Sequence, residues 1–388
     1  MSVTVGTSTQ NQACLYPRQF KIFAAFGLIW LFFNDAINGN EVLYTRPVAG
    51  GAWTGPTVIR TPVAYGNGFS VWFDGVYAHY SYTDYNAAMG PIYYRRFTPQ
   101  PDGSVVYSAA EQTAHAGGPF RFTQVAVGTD GYAYIVSGRV SAPRDAFVTR
   151  NDNMDGTWLT SAGHPFTLST LLPGDDMGQS IVPLSNGRMV AVWSQTGING
   201  GRICARRWTG AAWGAKRLTV NASQYEYWAI APDPINDLVH LVFNDVTNGR
   251  RITHGMFDYA TDTFFGENAV TPATGNVDMW PNVCYNIYTG EVYCFYDLAD
   301  DHIHYRIRSL AGVWGGDVDW LNEAVDNLTR GYGCLNCFWN QQACKIGVEY
   351  TTLDASPWNI RYNELDVDCA EMAVSTMKRT VLKNLVVG

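Results

Sequence analysis

Seven times along the chain an apolar strand runs into a polar turn, a strand carrying Tyr or Arg follows, and a Gly-x-Trp or its remnant comes next. The first copy reads LIWLFFND over 28–35, EVLYTR over 41–46 and GGAW over 50–53. The polar end of the apolar strand recurs at Asp35, Asp84, Arg139, Gln195, Asp245, Asp297 and about Tyr350. The steps are 49, 55, 56, 50, 52 and about 53 residues. One such unit cannot bury its apolar face alone, so the copies must stack around an axis, one four-stranded blade each. The expected fold is all-β, a single seven-bladed β-propeller. Residues 17–367 form the blades, 1–16 an N-terminal arm that supplies the closing strand, and 368–388 a short C-terminal tail.

Each copy reads as strands A to D from the axis outward. In the fourth, SIVPL over 180–184 is strand A and Ser185, Asn186 and Gly187 make the hairpin turn. Asn-Gly tolerates positive φ at both positions and favours such a turn. The second copy lacks an obvious Gly-x-Trp beside SVVY over 104–107, and nothing after residue 367 reads as a seventh strand D. An open ring would leave a sheet edge exposed. The alternating residues Ser2–Thr7 are therefore expected to pair with the strand near 358–365. In the tail, Val374, Met377, Val381, Leu382 and Leu385 would share one face of a helix, although the same stretch also draws as a strand.

Charged residues make up 15% of the chain and the formal net charge is -8, which opposes nucleic acid and anionic lipid as partners. The most apolar stretch, 20–33, contains Lys21 and is too short to span a bilayer, so no membrane insertion is expected. The first ten residues have neither the basic stretch nor the apolar run of a secretory leader. The expectation is a soluble chain whose compartment stays open, with a virion or extracellular surface among those that fit. Cys284 and Cys294 flank a turn at Thr289 and are expected directly opposite one another, as two buried thiols or a cross-strand disulfide. Cys334 and Cys337 have metal-ligand spacing, but on a strand they point to opposite faces.

The alternation of a Tyr/Arg strand with a Gly-Trp turn resembles the sialidase-like (Asp-box, or BNR-repeat) propellers. The best copy is Asn153, Asp155, Gly156 and Trp158; the others keep Gly and Trp, as in GGAW over 50–53, GAAW over 210–213 and GVW over 312–314. The resemblance covers nearly the whole chain and implies a propeller with a bias toward carbohydrate. Sialidases of that family have six blades and an arginine triad, so no catalytic residue is carried over. Seven-bladed relatives include lectins and polysaccharide lyases.

In such a ring the D–A and B–C connections emerge on one face around the axis. That face is expected to carry the ligand-binding residues Asp35, Asp84, Arg139, Tyr227, Trp228, Asp245, Asp278, Trp280 and Asp297. Sugars stack on aromatic rings and hydrogen-bond to carboxylates, and two carboxylates about 5–10 Å apart would suit glycoside hydrolysis. Asp and Asn at strand ends are also ordinary turn formers. His302 and His304 share a strand face beside Asp300 and Asp301, a pattern open to a metal, though surface histidines are commoner. No metal, cofactor or catalytic residue is expected. The reading is a non-enzymatic binding or structural propeller, a lectin-like adhesin or a surface subunit of a larger assembly such as a virion or cell-surface filament. Its partner would be a glycan or a protein surface, with other subunits held through the termini. The alternative is a glycoside hydrolase or polysaccharide lyase acting on the acidic central face.

Overall fold

The computed structural model describes the chain except residues 1–2, 11–12, 15, 37–38, 64–67, 84–89, 140–143, 172–177, 196–200, 274–279, 299, 301, 323–334, 340–343, 353–355 and 370–388. The N-terminal strand β1 (Val3–Ser8) precedes the first blade, β2 (Ile22–Ala25), β3 (Leu28–Asn34), β4 (Gly39–Pro47) and β5 (Thr54–Val63). Blade 2 holds β6 (Phe69–Phe73), β7 (Ala78–Thr83) and β8 (Ile92–Pro99), with an outer edge divided between β9 (Val105–Tyr107) and β10 (Gln112–His115). Blade 3 is β11 (Phe120–Val127), β12 (Ala133–Arg139), β13 (Arg144–Arg150) and β14 (Phe166–Leu171). Blade 4 is β15 (Gln179–Pro183), β16 (Met189–Gln195), β17 (Arg202–Trp208) and β18 (Arg217–Leu218). Blade 5 is β19 (Ser223–Asp233), β20 (Leu238–Asp245), β21 (Arg251–Asp258) and β22 (Thr263–Ala269). Blade 6 is β23 (Asn282–Tyr285), β24 (Val292–Asp297), β25 (Ile303–Arg308) and β26 (Val318–Leu321). Blade 7 is β27 (Leu335–Cys337), β28 (Lys345–Thr351) and β29 (Trp358–Asp366).

Each set forms an antiparallel sheet, and β1 completes the seventh by pairing with β29, from Val3 opposite Tyr362 to Ser8 opposite Trp358. The two ends of the chain are thereby joined in one hydrogen-bonded sheet. The recurring polar residues sit where the sequence puts them. Strands β12, β16, β20 and β24 end on Arg139, Gln195, Asp245 and Asp297, and β3 and β7 end one residue before Asp35 and Asp84. At the fourth hairpin Asn186 and Gly187 both take positive φ, 56° and 70°, the conformation a two-residue turn requires.

The repeated Trp and Arg form the seam between blades. Trp53 of blade 1 meets Tyr362 of blade 7 edge-on at 5.3 Å, and Trp158 of blade 3 meets Tyr94 of blade 2 at 5.0 Å. Trp213 of blade 4 stacks on Phe166 of blade 3 at 6.2 Å, and Trp314 of blade 6 meets His254 of blade 5 at 5.4 Å. Each turn Trp thus covers an aromatic side chain of the preceding blade. Arg46 lies over both Trp53 and Tyr362 and pairs with Glu364 at 2.6 Å. Large flat rings bury much area, and cation–π contacts add about 0.5–2 kcal/mol each. Their recurrence around the axis marks the motif as scaffold.

Cys284 and Cys294 are buried free thiols, one of the two expected states, but their register departs from expectation. Cys294 pairs with Val283 and Cys284 with Tyr293, so the two thiols are one register step apart. The hairpin turn is one residue longer than the three-residue loop expected: the Asn286 N–H donates to the Glu291 carbonyl, and the Gly290 N–H to the Asn286 carbonyl. A one-residue slip sends side chains to opposite faces, and both thiols are free and buried. A disulfide joins Cys344 and Cys369 instead and pins the chain beyond β29 to the start of β28. Cys334 and the proposed tail helix lie outside the described residues.

Candidate functional site

The upper face, where the B–C and D–A connections emerge, is governed at its centre by the segment between β1 and β2. Two tyrosine-sized side chains and an arginine in this segment have no strand of their own to pack on, and they pack into the axis. The segment touches every blade. The Asn34 N–H of blade 1 donates to the Ala13 carbonyl at 3.0 Å, and the Val71 N–H of blade 2 to the Phe20 carbonyl at 2.7 Å. Gln19 Nε2 donates to the Thr123 carbonyl of blade 3 at 2.8 Å, and Ser180 Oγ of blade 4 to the Arg18 carbonyl at 3.1 Å. The Arg18 guanidinium lies 5.6 Å from the Trp228 ring of blade 5. Asn282 Nδ2 of blade 6 reaches the Pro17 carbonyl at 3.4 Å, and Asn336 Nδ2 of blade 7 donates to the Cys14 carbonyl.

Arg18 is fully buried, with Tyr16 at 4.1 Å and Phe122 at 5.4 Å beneath its guanidinium. Gly178 makes room for it, since a Cβ there would come within 2.8 Å of the guanidinium carbon. Tyr16 in turn meets Trp280 at 5.7 Å. Lower down the axis Phe20 packs on Trp72, and Trp72 stacks on Trp339 at 4.6 Å. Among the described residues the axis is packed at the upper level, and at the lower level Trp72 and Trp339, with Val127 and Thr129, line a small pocket of about 40 Å³.

This arrangement sorts the sequence-derived candidates. Trp228 and Trp280 do converge, but through Arg18 and Tyr16 and at 0% and 1% exposure, inside the protein rather than on an open stacking patch. Asp245 is fully buried and bound to its own turn. It accepts from the Thr247 N–H (2.9 Å), Asn248 Nδ2 (2.9 Å) and Thr253 Oγ1 (2.9 Å). Asp297 is buried and accepts from the Trp280 N–H at 3.2 Å. Asp35 is half-buried and holds the Asn40 N–H at 2.6 Å and Asn40 Nδ2 at 3.0 Å. These carboxylates are committed to the backbone that carries them, and each belongs to a different blade. Asp84, Asp278 and the Tyr227 side chain lie outside the described residues.

Arg139 is also partly exposed, 3.6 Å from Asp145 and 5.8 Å from the Phe120 ring. Beside it His115, at the end of β10, packs on Phe120 at 4.9 Å. Burial, and then the Arg139 charge, hold the His115 imidazole below its ordinary pKa, so it is neutral at pH 7. Toward the blade 1–2 seam, Arg60 lies 3.7 Å over Tyr82 and 5.5 Å from Tyr93, with Glu111 at 3.4 Å. Charge pairs thus lie over aromatic rings and within reach of solvent along the upper rim of blades 1 to 3. Of this group the sequence pattern singles out Arg139 alone. Arg60, Glu111 and His115 occur once each, off the repeat, and only their convergence in space reveals them.

A second polar cluster stands on the outer half of blade 6, away from the axis. His302 and His304 face Asp300, Asp317 and Asp319 there. The sequence signal missed was the matching alternation Asp317-x-Asp319 on the partner strand.

No family model matches the chain, and no curated protein matches it in sequence. Solved structures share its fold. An ulvan lyase described as a new family of polysaccharide lyase superimposes with a TM-score of 0.60 at 10% identity, covering 98% of this chain and 99% of that one. The BP39L lectin from Burkholderia pseudomallei gives a TM-score of 0.61 at 15% identity, covering 92% and 99%. AofleA from Arthrobotrys oligospora gives 0.51 at 12% identity, covering 80% and 89%. At such identities the likeness concerns the fold.

Proposed function

We propose that this β-propeller is a glycan-binding protein of lectin-like character that holds its ligand without cleaving it. The observation that carries the proposal is the state of the described upper-face carboxylates. Asp35, Asp245 and Asp297 stand on separate blades and are tied to their own turns or neighbouring backbone, and Tyr16 and Arg18 fill the axis they surround. Glycoside hydrolysis needs two carboxyl groups set close together with separated pKa values. A binder needs rings to stack on and charged groups to hydrogen-bond hydroxyls. The rim from Arg60, Glu111 and Tyr93 to His115, Arg139 and Asp145 supplies that mixture, half-exposed. A propeller lectin and a polysaccharide lyase propeller among the fold neighbours support carbohydrate as the ligand class. In its biological setting the chain serves as an adhesin or as a surface subunit of a larger assembly.

The test is a glycan-array screen with the purified chain, followed by incubation with each hit and mass spectrometry of the glycan. Binding with an intact glycan, weakened by Arg139→Ala or Arg60→Ala, is expected. A shortened glycan, with turnover lost in an aspartate variant that still binds, would move the protein to the hydrolases or lyases.

A further inference from the structure

We propose that the outer edge of blade 6 is a site for a divalent transition-metal ion, with Asp300, His302, His304 and Asp319 as ligands and Asp317 orienting His304. The inference is independent of glycan binding and rests on how the two strands present these side chains.

His302 stands just before β25 and His304 is its second residue, so the two imidazoles project from one face. Their rings lie 6.2 Å apart, 19° from parallel. Strand β26 pairs His304 with Asp319, and the register shifts between Ile303 and His304. The connection from β24 brings back Asp300, whose Oδ1 accepts the His302 N–H at 3.2 Å. His304 Nε2 is then 3.1 Å from Asp300 Oδ2, and His302 Nδ1 is 3.1 Å from Asp319 and 3.8 Å from Asp300. One ligand atom each from Asp300, His302 and His304 falls within a 4.8 Å span. Metal–ligand bonds of about 2.0–2.2 Å place neighbouring ligand atoms roughly 3.0–3.6 Å apart. The side chains therefore stand close to coordination spacing.

The hydrogen-bond inventory points the same way. His304 is 4% exposed, and both its ring nitrogens face carboxylates, Nδ1 toward Asp317 at 2.9 Å and Nε2 toward Asp300. A neutral imidazole has one N–H to give. Asp317 is the fixed acceptor, held by the Tyr296 hydroxyl and approached by Arg306 at 3.8 Å. With the proton on Nδ1, the Nε2 lone pair points at another acceptor 3.1 Å away. His302 Nδ1 likewise faces two carboxylates. A cation between them resolves both contacts. A metal-bound histidine donating its second N–H to a carboxylate is the usual supporting arrangement. Two imidazoles with carboxylates favour zinc and its neighbours over calcium or magnesium. Asp300 and Asp319, 46% and 51% exposed at the side chain, leave an entry from solvent.

The experiment uses the full chain without a polyhistidine tag, cleared of metal by chelator and dialysis. Zn²⁺ and Ca²⁺ are titrated separately by calorimetry at neutral pH, with thermal melts alongside. One Zn²⁺ per chain, Ca²⁺ at least a hundredfold weaker, and a higher Tm with Zn²⁺ are expected. The double variant His302→Ala/Asp319→Asn should lose at least a hundredfold in affinity. Asp317→Asn should lose about tenfold, the usual scale for a supporting carboxylate. His302 and Asp319 are reachable from solvent, so the metal-free double variant should keep the wild-type circular dichroism and melt. Absence of saturable Zn²⁺ binding would overturn the proposal. Equal affinity for Ca²⁺, or undiminished Zn²⁺ binding in the folded double variant, would overturn it as well.

Discussion

Arg18 at the axis and His304 at the edge of blade 6 are both buried polar side chains, and their surroundings differ in kind. Arg18 is enclosed by the aromatic rings of Tyr16, Phe122 and Trp228; the backbone around it is hydrogen-bonded into blades 4 and 6, and the neighbouring Gln19 side chain into blade 3. His304 lies between two carboxylates, one at each ring nitrogen. The first environment is a set of rings that fixes the guanidinium in place. The second is short of positive charge and has capacity for a cation. A buried polar group therefore reads as scaffold or as site according to whether rings or carboxylates surround it.

If the axis is scaffold, its removal has the largest effect. Deleting residues 1–21 takes away the outer strand of blade 7 and the segment that touches all seven blades. Loss of soluble, cooperatively melting protein is expected by size exclusion and circular dichroism. A shorter deletion of 1–8 exposes only the β29 edge and should yield a folded but aggregation-prone chain with a lower Tm. A full-length-like melt for the longer deletion would show that the axis is not the keystone.

Next in size is Arg18→Ala. It leaves a void among three aromatic rings and should cost about 2–5 kcal/mol in denaturant titration. Arg18→Lys keeps the charge but loses the flat guanidinium that stacks on Tyr16, so it should recover only part of that.

Two buried seams respond to pH with opposite sign. Between blades 5 and 6, His240 Nδ1 lies 3.1 Å from His254 Nε2, and burial pushes both pKa values down, His240 to about 3. The unfolded chain takes up these protons near pH 6.5 while the native state refuses them. Stability from this pair is thus complete above pH 6.5 and falls as pH drops toward 3, by at most about 1.4 kcal/mol per unit for each group. Between blades 1 and 2, burial raises the Glu41 carboxyl well above 4.5, and the Tyr80 hydroxyl hydrogen-bonds to it. There the native state keeps a proton that the unfolded chain gives up, so stability falls as pH rises above 4.5. Urea midpoints across pH 4–8 should lose their acid-side fall in His240→Gln/His254→Gln, and Glu41→Gln should gain at neutral pH relative to wild type. Unchanged profiles would mean that neither seam is as dry as its burial indicates.

The ring was legible because one physical demand repeats. Every blade needs an apolar inner pair of strands, a turn, and an aromatic to cover its neighbour, so the pattern survives even where blade 2 divides its outer edge into β9 and β10. What occurs once was not legible. Nothing periodic marks Tyr16 and Arg18 as the filling of the axis, and Trp228 and Trp280 look like surface aromatics until that filling is in place. The Cys284–Cys294 register turned on a single residue of loop length, which sequence seldom decides. Asp317 and Asp319 fell outside the reading of His302 and His304 because the partner strand's register was unknown.

The smallest effect on stability belongs to the upper rim, and there the contrast between scaffold and site is sharpest. Arg139 sits 3.6 Å from Asp145 with a quarter of its side chain exposed, and pairs of this kind contribute about 0–1 kcal/mol. Arg139→Ala should therefore leave the melt within about 0.5 kcal/mol of wild type, the level of an ordinary surface change. The same substitution removes a fixed fork of donors beside the Phe120 and His115 rings. An arginine that hydrogen-bonds a sugar typically contributes about 1.5–3 kcal/mol as a charged donor. Binding to a glycan hit should thus weaken roughly tenfold to a hundredfold by calorimetry while the fold stays unmoved. Arg18→Ala should do the reverse, lowering stability while any chains that remain folded bind as before. If Arg139→Ala instead lowers the melt as Arg18→Ala does, or leaves glycan affinity untouched, the rim is scaffold too and the ligand surface must be sought on another part of the upper face.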